Sequence, residues 1–220
     1  MLQNIGAQSS GKNKWTFYLW APQLNRVELK IVFPEKKIIP MEKRDNGYWK
    51  IGVDNITWDT RYFFRLKKGN DRPDPVSHWQ PDGVHGPSQI VDHSRFKWND
   101  SGWQGIGLHE MIMYELHVGT FTQEGTLEAV INRLDELREL GINALSIMPV
   151  AQFPGERNWG YDTAYPFAVQ DSYGGPDGLK TLVNACHKKE IAVILDVVYN
   201  HLGPEGNYLG EFAPYFTDKY

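Results

Sequence analysis

Cysteine is almost missing. Cys186 is the one thiol in 220 residues, so no internal disulfide can form. A chain without bridges suits a reducing compartment, and the expectation is a cytoplasmic protein. The N-terminus, Met1-Leu2-Gln3-Asn4, has neither the basic nor the apolar segment of a secretory leader. No apolar run approaches the ~20 residues that cross a bilayer. No cluster of five or more basic residues occurs. With 23 Lys and Arg against 27 Asp and Glu, the formal net charge is −4. Nothing therefore draws the chain to nucleic acid or to an acidic membrane surface. The phosphate loop GxxxxGK[ST], a GxGxxG after a strand, HExxH, CxxC and the GxSxG elbow are all missing, which removes the commonest nucleotide, zinc-protease, redox and serine-hydrolase readings. The seven histidines lack metal-ligand spacing. Neither a metal nor a cofactor is expected.

Aromatic residues are plentiful, at 13% with eight Trp. Such rings either fill a core or cover the apolar faces of pyranose sugars. Hydrophobic residues, at 41%, are enough to build the cores of one or two domains.

Two halves follow different rules. Up to residue 95 the chain reads as short strands: Trp15 to Trp20, Arg26 to Val32, Gly47 to Val53 and Arg61 to Leu66. In the second of these, Val27, Leu29 and Ile31 share one face while Glu28 and Lys30 share the other. Asp45-Asn46-Gly47 is a hairpin signal, because Asn and Gly tolerate positive φ, and Gly69-Asn70-Asp71 marks another turn. The spacing predicts an antiparallel β-sandwich over residues 1–95. Residues 70–110 are rich in Pro, Gly, Asp and His and read as a connector whose polar side chains bond its own backbone.

After Met111 the order becomes β, α, β, α, β: strands at Met111 to Val118, Ala144 to Val150 and Ile191 to Val198, and helices from Thr126 and over Pro176 to Lys189. Leu127, Val130, Ile131, Leu134, Leu137 and Leu140 form one helical stripe, with Thr126 as N-cap and Gly141 past the C-terminus. In the second helix Leu179, Leu182, Val183 and Cys186 face inward. Strand–helix repeats over residues 96–220 fit either a (β/α)₈ barrel or an open doubly wound sheet. Three strands cannot close a barrel, which takes eight units and ~250 residues.

Chemistry concentrates in three places. Asp196 ends a buried strand and is followed by Tyr199, Asn200 and His201. A carboxylate there is costly unless partnered, so it either lines an active face or caps the next turn. Asn158-Trp159-Gly160-Tyr161-Asp162 offers two aromatics and an acid, either a sugar platform or a packed loop anchor. Glu115 and His117 point the same way from the first strand and read best as an internal hydrogen-bonded pair that orients loops.

These segments resemble glycoside hydrolase family 13, the α-amylase superfamily. Asp196-Val197-Val198-Tyr199-Asn200-His201 is similar to its first conserved region, at the end of barrel strand three. Tyr114 to Thr122 resembles the first barrel strand of the trehalohydrolase and branching-enzyme branch, and Met148 to Gly155 with Asn158 to Asp162 its second strand and loop. Asn200 to Leu209 and Gln80 to Ser88 are closest to the trehalohydrolases. The resemblance implies a multidomain β then α/β protein: an immunoglobulin-like sandwich of the carbohydrate-binding-module type, then the first three β/α units of a TIM barrel. It implies trehalose biosynthesis, by hydrolysis of the α-1,4 bond next to the terminal trehalose of maltooligosyltrehalose. A glucan branching enzyme, or a glucan-binding module without catalysis, is the alternative. By the same resemblance Asp196 shapes the sugar site, His201 contacts the sugar, and Tyr161 stacks on it. Asn200, Trp159 and Asp162 complete the expected substrate-binding set. The family's carboxylates belong on strands four, five and seven, past Tyr220, so no catalytic residue is expected here and none of Glu115, Asp162, Asp196 or Glu205 takes that role. Calcium, common among amylases, is not expected in this branch. The open barrel edge should favour self-association, and the sandwich should be the more independent unit.

Overall fold

The computed structural model describes residues 5–216 and Lys219. Met1–Asn4 and Tyr220, on which the leader and C-terminal readings fall, lie outside the described residues. Strands β1 (Gly6–Gly11), β2 (Lys14–Trp20), β3 (Glu28–Phe33), β4 (Lys37–Pro40), β5 (Glu42–Lys43), β6 (Tyr48–Asp54), β7 (Arg61–Arg65), β8 (Asp71–Arg72) and β9 (Ser88–Gln89) make two antiparallel sheets. One runs β1-β2-β6-β5; the other runs β4-β3-β7-β8, with β9 also on β7. In β2 the alternation is complete, with Trp15, Phe17 and Leu19 buried. They meet Leu29, Ile31, Trp49, Tyr62 and Phe64 in one core, as a two-sheet sandwich requires. The hairpin into β6 turns at Asn46 and Gly47, both at positive φ.

β1 and β4 were not expected. β1 is a sheet edge, and its sequence, Gly-Ala-Gln-Ser-Ser-Gly, has too little apolar alternation to announce a strand. The connector bonds itself as expected: Gln80 donates to Gly83 O and Gly86 O, and Ser88 Oγ reaches Gln80 Oε1 at 2.6 Å.

The second half begins with β10 (Met113–Leu116), α1 (Val118–Phe121), α2 (Leu127–Ile131), α3 (Leu134–Glu139) and β11 (Ala144–Ile147). A small hairpin of β12 (Ala151–Gln152) and β13 (Tyr165–Val169) follows, then α4 (Gly175–Lys188), β14 (Ala192–Leu195) and α5 (Leu209–Phe212). β10, β11 and β14 form a parallel sheet in that order. Its helices bury Leu127, Val130, Leu134, Leu137, Leu182 and Cys186 against Leu145 and Ile147.

The helix expected from Thr126 is two pieces. It tightens at Asn132–Arg133, where Arg133 N bonds Val130 O three residues back. Leu140, assigned to the buried stripe, is exposed, because the helix has already ended at Glu139. Thr126 Oγ1 accepts from Ala129 N at 3.2 Å. Thr126→Ala should lower stability by about 1 kcal/mol, measured as a shift in the urea midpoint; an unchanged midpoint would show that the cap is idle.

Three further expectations change. Glu115 is exposed and His117 bonds elsewhere, so the internal pair does not form. Asp196 is partly open, because β14 is an edge strand whose last residue, Leu195, is 42% exposed. The sandwich is also less independent than expected: Phe212 and Ala213, from the segment after β14, are buried in its core. Among the described residues no helix is long and apolar enough to cross a membrane.

Candidate sugar-binding site

Register builds the site. Ile147 lies opposite Leu195 in the parallel ladder, so β11 and β14 end at the same level, and Asp196 N bonds Ile147 O at 3.0 Å. The loop after β11 and the loop after β14 therefore leave the sheet side by side, at the strand ends where α/β proteins place ligands.

Tyr161 Oη donates to Asp196 Oδ2 at 3.4 Å. Desolvation, and then the Asp196 carboxylate, hold the Tyr161 phenol above its ordinary range, so it stays protonated and able to donate. His201 Nε2 is 2.9 Å from Tyr161 O. A carbonyl only accepts, so Nε2 carries the proton, and Nδ1 accepts from Asn200 Nδ2 at 2.7 Å. Both ring nitrogens are thus engaged by protein, and His201 here anchors the Tyr161 backbone. The structure brings Tyr161, Asp196, Asn200 and His201 together.

Trp159 and Asp162 flank this cluster without touching Asp196. Asp162 Oδ2 accepts from Asn158 Nδ2 at 3.3 Å. Trp159 is 71% exposed and leans toward His117, with ring centroids 6.0 Å apart. Its indole borders a cavity of about 480 Å³ lined also by His117, Thr120, Glu156 and Arg157. A smaller cavity of about 180 Å³ lies between Asp196, Tyr199, Phe167 and Thr163.

Two features of the loop escaped sequence reasoning. His117 Nε2 donates to Asn158 O at 2.8 Å, with Tyr173 Oη at 3.1 Å, while Nδ1 pairs with Thr120 Oγ1. His117 does orient a loop, but without Glu115. Asn158 in turn accepts from Gly160 N at 2.8 Å, which shapes the turn that presents Tyr161. Gly203 N bonds Thr163 O at 2.8 Å and so ties the second loop to the first. Long-range backbone contacts of this kind leave no local signal.

The family model for the alpha amylase catalytic domain matches residues 89–218. The chain belongs to the α-amylase family. Residues 4–82 match carbohydrate-binding module 48, the isoamylase N-terminal domain. Among curated proteins, the malto-oligosyltrehalose trehalohydrolase of Saccharolobus solfataricus is 51% identical over 205 residues, 93% of this chain and 36% of its own length. That of Arthrobacter ramosus is 43% identical, over 90% of this chain and 35% of its own. The chain thus spans about a third of the curated relatives it matches. A Salmonella typhimurium crystal structure, provisionally described as an alpha amylase, superposes with a TM-score of 0.95 at 40% identity, covering 100% of this chain and 37% of that one. An Anoxybacillus pullulanase complexed with maltotetraose gives 0.79 at 26% identity, covering 90% and 35%. The site residues of this α-amylase family chain thus lie within the matched catalytic-domain span, and the sandwich largely coincides with the module.

Proposed function

We propose that Tyr161, Asp196, Asn200 and His201 form a glucosyl subsite of a glycosidase that acts on maltooligosyltrehalose and releases trehalose. The observation that carries this reading is the convergence of a phenol, a carboxylate and an imidazole at adjacent strand ends. A half-exposed tyrosine ring can cover the apolar face of a pyranose, and the Asp196 carboxylate can accept from its hydroxyls. Trp159 and Asp162 extend the same surface toward a neighbouring sugar unit. The high identity to trehalohydrolases supports this substrate over a branching reaction. We further propose that residues 1–95 form a carbohydrate-binding sandwich, and that residues 96–220 supply the first three β/α units of a TIM barrel.

Retaining hydrolysis takes two carboxyl groups ~5 Å apart. In the family pattern these stand on barrel strands four and five, which the 220 residues do not include. The 220-residue polypeptide is therefore proposed to bind and not to cut. Its exposed Ile112, Met113, Val197 and Tyr199, beside the edge strands β10 and β14, support self-association.

Titration with maltooligosyltrehalose, followed by tryptophan fluorescence, should saturate, and chromatography should find neither free trehalose nor new branches. Tyr161→Ala should weaken binding by about tenfold, the loss of one stacked ring. Trehalose release would overturn the binding-only reading; new α-1,6 linkages would point to branching instead. Binding indifferent to Tyr161→Ala would remove the subsite.

A further inference from the structure

The two site loops run side by side for longer than the sugar cluster itself. Three contacts join them at matched steps. Tyr161 O accepts from His201 Nε2 at 2.9 Å. Thr163 O accepts from Gly203 N at 2.8 Å. Tyr165 Oη donates to Gly206 O at 3.1 Å. Alternate residues of the first loop thus meet successive positions of the second, both running the same way, although residues 201–206 lie in none of the described strands.

This ladder has an open end and a fixed end. Tyr161 is 41% exposed, while Thr163 and Tyr165 are buried. Opposite them, His201 is exposed and Gly203 and Gly206 are buried. At the fixed end Tyr165 begins β13 and pairs with Gln152 of β12. Midway, Thr163 Oγ1 donates to Gly160 O at 3.0 Å and ties the ladder to the turn that presents Tyr161.

Tyr165 also reaches a third segment. Its hydroxyl has one proton to give and serves two carbonyls, Val84 O at 2.8 Å and Gly206 O at 3.1 Å. Burial, and then Tyr208 and Asp74, hold this phenol far above its ordinary range against a smaller opposing pull from Arg72, so the proton stays in place. Val84 packs with Ala164, Tyr165 and Ala168. Gly206 passes Val84 at φ +77, where a Cβ would stand 2.4 Å from the Val84 side chain. The connector and both site loops therefore close on one oxygen. Deleting it takes a donor from two carbonyls at once, in a buried place where an unmet acceptor is costly.

From this we infer that Tyr165 is a positioning residue of the Tyr161 subsite: its hydroxyl closes the ladder, and the ladder sets where His201 holds Tyr161. Tyr165 meets no sugar and acts through those two residues. Its effect on affinity rests on the glucosyl-subsite reading, whereas its effect on His201 does not.

The test is Tyr165→Phe in the 220-residue protein, which deletes the oxygen and keeps the ring. Magnetic resonance should show the His201 Nε2 proton and the Gly203 amide exchanging with water about fivefold faster, the loss of one hydrogen bond. Titration with maltooligosyltrehalose should show affinity about fivefold weaker, with no further loss when Tyr165→Phe is added to Tyr161→Ala. Tyr62→Phe is the control. It deletes a buried hydroxyl from the sandwich core, so it should lower the urea midpoint and leave His201 exchange as it was. His201 exchange that is unchanged in Tyr165→Phe, or that rises equally in Tyr62→Phe, would overturn the assignment, as would an additive affinity loss in the double variant. Should Tyr165→Phe fail to fold, the parent decides: below the unfolding transition, urea should strip protection from the His201 ring proton and the Gly203 amide in parallel, and independent loss would overturn the ladder. Faster His201 exchange with an unchanged sugar titration would support the ladder and count against the glucosyl subsite alone.

Discussion

Gly160→Ala is expected to abolish saturable sugar binding at the Tyr161 cluster and to lower stability by about 2–5 kcal/mol. Gly160 sits at φ +91, and a Cβ built there would stand 2.1 Å from Pro149 O. That oxygen is backbone, two residues past the end of β11, and cannot swing aside as a side chain could. Two costs therefore add: about 1–2 kcal/mol for the left-handed torsion, and about 1–3 kcal/mol for forcing the loop away. The turn also carries Tyr161, whose phenol meets Asp196 at only 3.4 Å, so a small displacement separates them. Gly155, in the same loop at φ +70 with nothing near its Cβ position, supplies the control. Gly155→Ala should incur the torsional cost alone and keep binding. Urea unfolding and the fluorescence titration read the two effects, and equal behaviour of the two variants would show that the contact with Pro149 does not matter.

Between about pH 4 and pH 6 the protein is expected to lose stability as pH rises, by about 3 kcal/mol through one carboxyl group. Asp74 is fully buried, and burial raises its pKa to about 6, in spite of bonds from Tyr62 Oη at 2.6 Å and Val76 N at 2.9 Å. In the unfolded chain the same group titrates near its ordinary value of 3.8. The folded state thus binds the extra proton, so the stabilising contribution is full below about pH 4. It declines through the window and is gone above about pH 6. Two pKa units correspond to about 3 kcal/mol. Asp71 works the other way and at lower pH: burial raises its carboxyl, but the bonds from Arg65 and Lys30 outweigh this and leave it below the ordinary range. His78 and His93, both lowered first by burial, oppose the Asp74 slope near pH 6. The decisive quantity is therefore a difference: Asp74→Asn should flatten the profile relative to the parent. Urea midpoints at pH 4.5 and pH 7 that shift equally in both proteins would contradict this account.

Legibility followed locality. Strand β2 was plain because Trp15 to Trp20 is a run rich in aromatic and β-branched residues stopped by Ala21-Pro22, and the helix start at Thr126 because its cap is a three-residue motif. Asp196, Asn200 and His201 could be placed beside Tyr161 because the ends of parallel strands bring consecutive βα loops together. The β12–β13 hairpin was hidden by Pro166 and by the length of the loop it sits in. The split at Asn132–Arg133 carries no breaker residue. Trp159 and Asp162 were grouped with Tyr161 by adjacency, yet Trp159 lines the neighbouring cavity and Asp162 bonds Asn158. Burial of Asp196 was overestimated because an apolar run does not reveal which strand lies at an edge.

The loop that begins with Asn200 and His201 ends with Phe212 inside the sandwich core. Its two ends are therefore pinned in different bodies, one at the rim of the sugar cluster and one among Trp15, Phe17 and Tyr62. Loosening the sandwich by heat or denaturant would release the far pin, and the imidazole holding Tyr161 would lose its purchase. Sugar affinity should consequently fade along with the melting of the β-sheets, at temperatures where the parallel strands are still intact.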